Sequence, residues 1–275
     1  MSEFADRVAV VTGAAKGVGR ALAETCLAEG MRVVLADLDE VALSETHATL
    51  LEMSPRVTAV PTDVSDPASV EALAQAAVEL GGEIGLLFNN AGVVASSDLG
   101  SLWKATEDDW QRLVNVNLWG VIHGCRSFLP LMMKQNHPSR IVNTASIAGV
   151  ISAPSISIYS MTKHAVVSLS DSLDQQLEEE GSTVRASVIC PGFVRTNLVN
   201  ELTSTAEGTA TMEQNRSWFQ ESVAEGTEPM ELARRVFDGI RHERRYIFTH
   251  TGFRGAVVER HERILQDLDA AAANK

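Results

Sequence analysis

The sequence VAVVTGAAKGVG, residues 8–19, joins a β-branched apolar run to a glycine-rich turn. Residues 8–12 have the composition of a buried parallel strand, and the glycines that follow permit a tight turn with close backbone approach. We predict that a helix begins within this turn, so its free N–H groups and the positive end of its dipole face an anion. Such a cradle suits a pyrophosphate, and Asp37 supplies the acidic residue expected about 20 positions further on.

Short apolar runs alternate with helical patterns along the rest of the chain. This alternation, with nearly continuous apolar strands, predicts an α/β protein with a doubly wound parallel sheet covered by helices on both faces. Long helices are predicted from about 106 to 135 and from 159 to 180. The polar stretch 201–226 lacks a clean strand and indicates an insertion or a mobile lid, and residues 270–275 are expected to be frayed. The runs after the first lie at 32–36, 57–60, 84–88, 141–144, 184–189 and 246–249.

Composition limits the classes of partner and the location. The chain has 275 residues and a formal net charge of −13, and an acidic surface argues against nucleic-acid binding. Three widely spaced cysteines predict neither a disulfide framework nor a zinc site. We see no apolar signal core at the N-terminus and no run near the ~18 residues that a membrane span requires. We therefore expect a cytoplasmic protein with a single domain over 1–275 and no membrane partner.

Acidic and amide residues at the ends of the early strands indicate how a dinucleotide would bind. A carboxylate at Asp37 can accept hydrogen bonds from a ribose 2′-OH and would repel a 2′-phosphate, which favours NAD over NADP. Lys16 points the other way, unless it is a solvated loop lysine. Asp63 either accepts from the adenine amine or belongs to a turn. The segment Asn89-Asn90-Ala91-Gly92 suits close approach of a cofactor, but it also has turn composition.

Four residues form a candidate proton-handling group. Tyr159 and Lys163 lie four apart on a predicted helix and so share a face, Ser146 follows the fifth strand, and Asn117 lies on the preceding long helix. A phenol with a pKa near 10 is a poor base at neutral pH, and a nearby ammonium or the positive ring of an oxidised nicotinamide favours the phenolate. Ser146 could fix a carbonyl or alkoxide oxygen, and Asn117 could hold a water that links Lys163 to solvent. Taken singly, each of these residues could be structural; together with the glycine loop they indicate hydride transfer.

These motifs together resemble the short-chain dehydrogenase/reductase family over about residues 5–250. The resemblance implies a Rossmann-type sheet of seven parallel strands in the order 3-2-1-4-5-6-7. It implies Tyr159 as acid/base, Lys163 as its pKa-lowering partner, Ser146 as donor to the substrate oxygen and Asn117 as the relay anchor. It also implies homodimers or homotetramers built from the two long helices. The expected cofactor-binding residues are Gly13, Lys16, Gly17, Val18, Gly19, Asp37, Asp63, Val64, Asn90, Ala91, Gly92, Tyr159, Lys163, Pro191, Gly192, Val194 and Thr196.

Substrate identity is expected to depend on the later loops, with 194–226 as a substrate lid and 251–275 as a C-terminal tail. The candidate wall is apolar or aromatic, which predicts a hydrophobic secondary alcohol or ketone. A Trp-Phe pair on a lid helix could equally be packing. The leading function is an NAD(H)-dependent oxidoreductase; an NADPH-dependent ketone reductase and a non-catalytic dinucleotide-binding sensor are the alternatives, and no metal site is predicted. The candidate pocket residues are Val94, Leu102, Trp103, Ser146, Ile147, Ile151, Phe193, Trp218 and Phe219.

Overall fold

The computed structural model describes residues 4–135, 137–202 and 209–273. Within these ranges seven strands form one parallel sheet in the order β3-β2-β1-β4-β5-β6-β7, as the resemblance implied. The order reverses direction between β1 and β4, and such a switch point is where open α/β sheets bind ligands. The strands are β1 Val8–Thr12, β2 Arg32–Asp37, β3 Val57–Pro61, β4 Ile84–Asn89, β5 Ser139–Thr144, β6 Val184–Cys190 and β7 Tyr246–Phe248.

Helices cover both faces of the sheet because successive strand residues point to opposite sides. In β1, Val11 packs into the apolar cluster that contains Phe237, whereas Val10 packs into the cluster that contains Phe128. All five residues of β1 are buried, as expected for a strand with helices on both faces. The α-helices are α1 Gly17–Ala28, α2 Glu40–Met53, α3 Pro67–Glu79, α4 Glu107–Val114, α5 Gly120–Lys134, α6 Ser157–Glu179, α7 Ala210–Ala224, α8 Pro229–Arg241 and α9 Arg254–Ala273.

The helix predicted over 106–135 is not one regular helix. A π-helical segment, Asn115–Trp119, separates α4 from α5 and contains Asn117. A π turn inserts extra backbone while leaving the apolar repeat nearly intact, so periodicity does not reveal it. Segments of this kind occur frequently at functional sites, and here the segment carries a candidate catalytic residue.

The lid segment predicted over 194–226 contains the helix α7, while 203–208 lie outside the described residues. The fraying expected at 270–275 is wrong for 270–273, which form the last turn of α9; residues 274 and 275 lie outside the described residues. Among the described helices, none combines the length and apolarity that a bilayer crossing requires.

Candidate active site

A cavity of about 1070 Å³ opens at the carboxyl ends of the strands. Its lining comes from the turn after β1, the loops after β2 to β6, the first part of α6, and α7. All seventeen residues expected to bind the cofactor line this one cavity. Seven of the candidate pocket residues also lie there: Val94, Ser146, Ile147, Ile151, Phe193, Trp218 and Phe219.

The glycine turn leaves no room for larger side chains. A Cβ added at Gly19 would lie 2.0 Å from the carbonyl oxygen of Gly13. Gly13 itself has φ of +66°, and a Cβ there would lie 2.9 Å from the Cα of Ala91. The turn therefore presents bare backbone to the cavity beside the first turn of α1, a geometry that fits a pyrophosphate.

Asp37 and Lys16 do not act as a simple opposed pair. Asp37 Oδ2 accepts the backbone N–H of Ala15 at 2.9 Å, which fixes the carboxylate at the edge of the turn. Lys16 Nζ instead lies 2.7 Å from Oδ2 of Asp39, and this contact raises the pKa of Lys16 and lowers the pKa of Asp39. Asp39 also caps α2 through the N–H of Ala42. The cation that sequence reasoning set against Asp37 is thus paired with a second carboxylate at the same rim.

Asp63 and Asn90 hold their loops in place and also face the cavity. Asp63 Oδ1 accepts both the N–H and the hydroxyl of Ser65, at 2.9 and 2.7 Å. This oxygen therefore stabilises the turn after β3, which is the second of the two roles predicted for Asp63. Asn90 Nδ2 donates to the carbonyl of Thr12 at 3.0 Å, and its N–H donates to the Thr12 hydroxyl at 2.9 Å. The loops after β1 and β4 are therefore tied directly to each other beneath the cavity.

Tyr159, Ser146 and Lys163 all line this cavity. Ser146 begins the short 3₁₀ turn after β5, where its Oγ accepts the N–H of Ala148 at 3.2 Å. Lys163 Nζ lies 5.5 Å from the centre of the Tyr159 ring and donates to the carbonyl of Thr144 at 2.9 Å. A phenol, a hydroxyl and an ammonium thus face one space that is continuous with the glycine turn.

Burial dominates the ionisation of this group. Desolvation raises the pKa of Tyr159, although a hydrogen bond with the Ser146 side chain opposes the shift. Desolvation also lowers the pKa of Lys163 to about 8. The sequence predicted that Lys163 lowers the pKa of Tyr159. In the structure without cofactor, the net shift of that pKa is upward.

Asn117 lies behind the cavity rather than in its wall. Its Oδ1 accepts the N–H of Val93 at 2.8 Å and its Nδ2 donates to the Val93 carbonyl at 3.0 Å, while the side chain is fully buried. A Cβ built on Gly92 would lie 3.2 Å from Asn117 Oδ1 and 3.4 Å from Lys163 Nζ. The π-helical segment thus brings Asn117 close to Gly92, and the head group of Lys163 lies close to the same residue.

Asp98 is a functional candidate that sequence reasoning missed. Its buried carboxylate accepts the N–H groups of Ile158 at 2.8 Å and Tyr159 at 2.9 Å, which caps the first turn of α6. Burial raises its pKa, and the two N–H bonds oppose that shift. The residue lies in a polar turn some sixty positions before its partners, so no local pattern marks it.

Two predicted wall residues lie outside the cavity lining, and one residue that was not predicted lies in it. Trp103 is 84% exposed and does not line the cavity, because the short 3₁₀ turn that carries it lies on the outside of the domain. Leu102 in the same turn is 42% exposed and is also outside the lining. Phe253, just before α9, does line the cavity. Within 4–135, 137–202 and 209–273, no group of three His, Cys, Asp or Glu side chains has the arrangement to hold a metal ion.

Three aromatic rings form part of the cavity wall. Phe193, Trp218 and Phe219 contact one another edge-to-face, with ring centres 5.4 to 5.6 Å apart. Edge-to-face contacts of this kind stabilise the cluster beyond its burial. Helix α7 is thereby attached to the loop after β6.

Comparison with known proteins agrees with this geometry. The family model described as short chain dehydrogenase matches residues 7–207. A short-chain dehydrogenase/reductase from Burkholderia phymatum, solved in complex with NAD, is 43% identical with a TM-score of 0.91, and 97% of each chain is covered. A "CLA biosynthesis dehydrogenase/reductase" from Lactiplantibacillus plantarum is 31% identical over 97% of this chain and 96% of its own. A meso-2,3-butanediol dehydrogenase from Serratia marcescens is 36% identical, covering 84% of this chain and 85% of its own.

The chain belongs to the short-chain dehydrogenase family. It is an oxidoreductase of the alcohol dehydrogenase/carbonyl reductase type, acting with a nicotinamide dinucleotide on alcohols and ketones.

Proposed function

We propose that this enzyme interconverts a neutral, hydrophobic secondary alcohol and its ketone with NAD(H), and that Tyr159 exchanges the hydroxyl proton. The observation that carries the proposal is the convergence of Tyr159, Ser146 and Lys163 in the same cavity as the glycine turn. A nicotinamide dinucleotide bound there supplies the hydride donor or acceptor and, when oxidised, a positive charge that favours the phenolate.

The side chains of the protein position the substrate and transfer the proton. Ser146 positions the substrate oxygen by hydrogen bonding, so that oxygen lies within reach of the Tyr159 hydroxyl. Tyr159 gives its proton to the developing alkoxide during reduction and takes it back during oxidation. Lys163 adds positive charge near the phenol, and Asn117 anchors the relay that exchanges its protons with solvent.

The lining supports a neutral, apolar substrate. Charged side chains in the described lining are Lys16, Asp37, Asp39, Asp63 and Lys163, which belong to the nucleotide and proton-transfer ends. The rest of the lining includes the ring cluster together with aliphatic side chains such as Ile151 and Val199. Burying an ionised substrate against such a wall would cost desolvation energy without compensation. We include the segment 194–226 in the proposal as the substrate lid.

The preference for NAD rests on the two carboxylates at the rim. Asp37 is fixed at the turn, and Lys16 is paired with Asp39, so a 2′-phosphate would meet two negative charges and one cation that is already paired. The NADPH-dependent alternative predicts the opposite ratio. Measuring kcat/KM with NADH and NADPH decides between them, and a preference for NADPH would refute the Asp37 argument. The proposal also includes a homodimer or homotetramer, which light scattering after size exclusion would test.

The two tyrosines of the chain offer a matched pair for testing the mechanism. Tyr159→Phe removes only the hydroxyl, and we expect turnover to fall by at least about a hundredfold, the range of a lost general acid/base, while NADH binding persists. Tyr246→Phe is the control, since its hydroxyl donates to Asp171 and does not line the cavity. Unchanged turnover in Tyr159→Phe would remove this residue from the mechanism. Bound NADH with no turnover of any secondary alcohol or ketone by the unmodified chain would favour the sensor alternative.

A further inference from the structure

The loop after β6 is held from below by the segment that follows β7. His250 lies at the centre of this contact, with both ring nitrogens engaged by main-chain groups. Its Nδ1 accepts the N–H of Gly192 at 2.9 Å, and its Nε2 donates to the carbonyl of Phe193 at 3.0 Å. The N–H of Gly192 can only donate and the Phe193 carbonyl can only accept, so the contacts require the neutral imidazole protonated at Nε2.

The packing around the ring is as tight as its hydrogen bonding. A Cβ on Gly192 would lie 2.9 Å from Cγ of His250 and 2.8 Å from the ring of Phe253. Glycine at 192 therefore lets the loop lie directly on the His250 and Phe253 rings. The hydroxyls of Thr227 and Thr249 lie 2.9 Å from Nε2 and Nδ1, respectively.

The same loop is tied a second time, at its far end. Val194 pairs with Thr227 in a parallel bridge, in which Thr227 N–H donates to Phe193 and Arg195 N–H donates to Thr227. His250 thus joins three points, Gly192, Phe193 and Thr227, across two segments. The ring of Phe193 in turn contacts Trp218 and Phe219 of α7, so fixing Phe193 also fixes this part of the cavity wall.

We propose that His250, as the neutral Nε2–H tautomer, is a positioning residue that fixes residues 192–194 for the nicotinamide end of the cofactor and for the Phe193 wall. The inference rests on the proposed function and on the expected cofactor-binding residues Gly192, Val194 and Thr196, which we assign to the nicotinamide end. Protonation of His250 would set an Nδ1–H against the Gly192 N–H and break the contact. Acid should therefore weaken nicotinamide binding without affecting the adenosine end.

The surroundings of His250 resist that protonation. Burial lowers its pKa, the Arg235 cation on α8 acts in the same direction, and the bond to the Phe193 carbonyl opposes them. Arg235 donates to the carbonyl of Thr249 and pairs with Glu231, which sets its charge beside the ring. The neutral form is therefore favoured down to pH values below about 6.5, the ordinary histidine pKa.

The tautomer is tested first, on the chain without cofactor. A long-range ¹H–¹⁵N spectrum at about pH 7.5, where histidine is largely neutral, should show His250 with its proton on Nε2. His250→Asn identifies the resonance, and His242→Asn is the control because that side chain is exposed at the C-terminal end of α8. An Nδ1–H tautomer or an imidazolium at that pH would overturn the proposal.

Binding then tests the positioning role, with NADH compared against ADP-ribose, which lacks the nicotinamide. We expect His250→Ala to weaken the affinity for NADH roughly tenfold, the effect of about one lost hydrogen bond, and to leave the affinity for ADP-ribose unchanged. His250→Asn keeps an acceptor for the Gly192 N–H and should recover most of the affinity. Both variants should lose the acid-dependent weakening that the unmodified chain shows for NADH. The proposal would be overturned by equal losses of affinity for the two ligands. It would also be overturned if the variants kept the same weakening of NADH affinity at acid pH.

Amide hydrogen exchange separates this inference from the proposed function. Exchange at residues 192–195 should quicken in His250→Ala without any ligand present, and unchanged exchange would overturn the positioning role. Faster exchange with no effect on NADH affinity would instead refute the placement of the nicotinamide at this loop.

Discussion

The carboxylate of Asp98 holds the start of the helix that carries Tyr159, and its removal should cost both stability and turnover. Asp98 accepts two backbone N–H groups at 2.8 and 2.9 Å, and its side chain is 2% exposed, so water cannot replace it readily. Hydrogen bonds to a charged acceptor contribute about 1.5 kcal/mol each, which gives about 3 kcal/mol for Asp98→Ala. At about 2 °C per kcal/mol for a chain of this size, the melting temperature should fall by about 6 °C.

Asp98→Asn and Asp66→Ala make the comparison specific. The Asn variant keeps one oxygen but turns an NH₂ group towards a backbone N–H, so it should lose about half as much free energy of unfolding. Asp66 caps α3 from an exposed position with one bond to Ala68, and its loss should cost only about 1 kcal/mol.

Denaturant unfolding, thermal melts and steady-state kinetics measure these effects. We expect kcat of Asp98→Ala to fall several-fold, because the backbone of Tyr159 is no longer anchored, while NADH affinity stays unchanged. The reasoning is refuted if Asp98→Ala destabilises the enzyme no more than Asp66→Ala does. A stability loss with kcat intact would refute the link to Tyr159.

Two further changes test the glycine turn and the buried ion-pair group. Gly19→Ala sets a Cβ 2.0 Å from the Gly13 oxygen, so NADH affinity measured by fluorescence should fall by at least about tenfold, while Gly255→Ala, with open space around it, should be neutral. Asp174→Asn removes the buried carboxylate that pairs with Arg185 and Arg245 and leaves them only the exposed carboxylate of Glu178. The change should cost about 2–3 kcal/mol in urea unfolding, less than for a fully buried pair. Its arginines hold the folded pKa of Asp174 at about 2, below the ordinary 3.8, so the unfolded state binds more protons between these values. The free energy of unfolding of the unmodified enzyme should therefore fall as pH falls from about 3.8 towards 2. Asp174→Asn should lack this decrease. The same decrease in both proteins would contradict the assignment.

The sheet was predictable because each strand is buried on both faces and so carries an unbroken apolar run. The run predicted at 84–88 is the strand Ile84–Asn89, and that predicted at 184–189 is Val184–Cys190. The spacing of Tyr159 and Lys163 likewise survives folding, since residues four apart share a helical face. Local periodicity is sufficient for these features.

Features that depend on distant contacts were not predictable in this way. Asp98 meets its partners across sixty residues, and His250 meets Gly192 across fifty-eight. Trp103 shows the converse failure, because an aromatic residue in a loop gives no sign of whether it faces a cavity or solvent. The break at Asn115–Trp119 keeps the apolar repeat and therefore leaves no mark on the sequence.

The ionisation of Tyr159 depends both on its neighbours along α6 and on its burial. Sequence spacing placed an ammonium beside the phenol, and the structure adds that burial raises the pKa of Tyr159 and lowers that of Lys163 to about 8. A protonated phenol is the form that ketone reduction needs, so the proposed enzyme is prepared for that direction as the chain stands. Alcohol oxidation needs the phenolate, which the Ser146 hydrogen bond favours and which the Lys163 ammonium favours by its charge. Oxidation should therefore depend on positive charge gained on cofactor binding, whereas the proton needed for reduction is already in place.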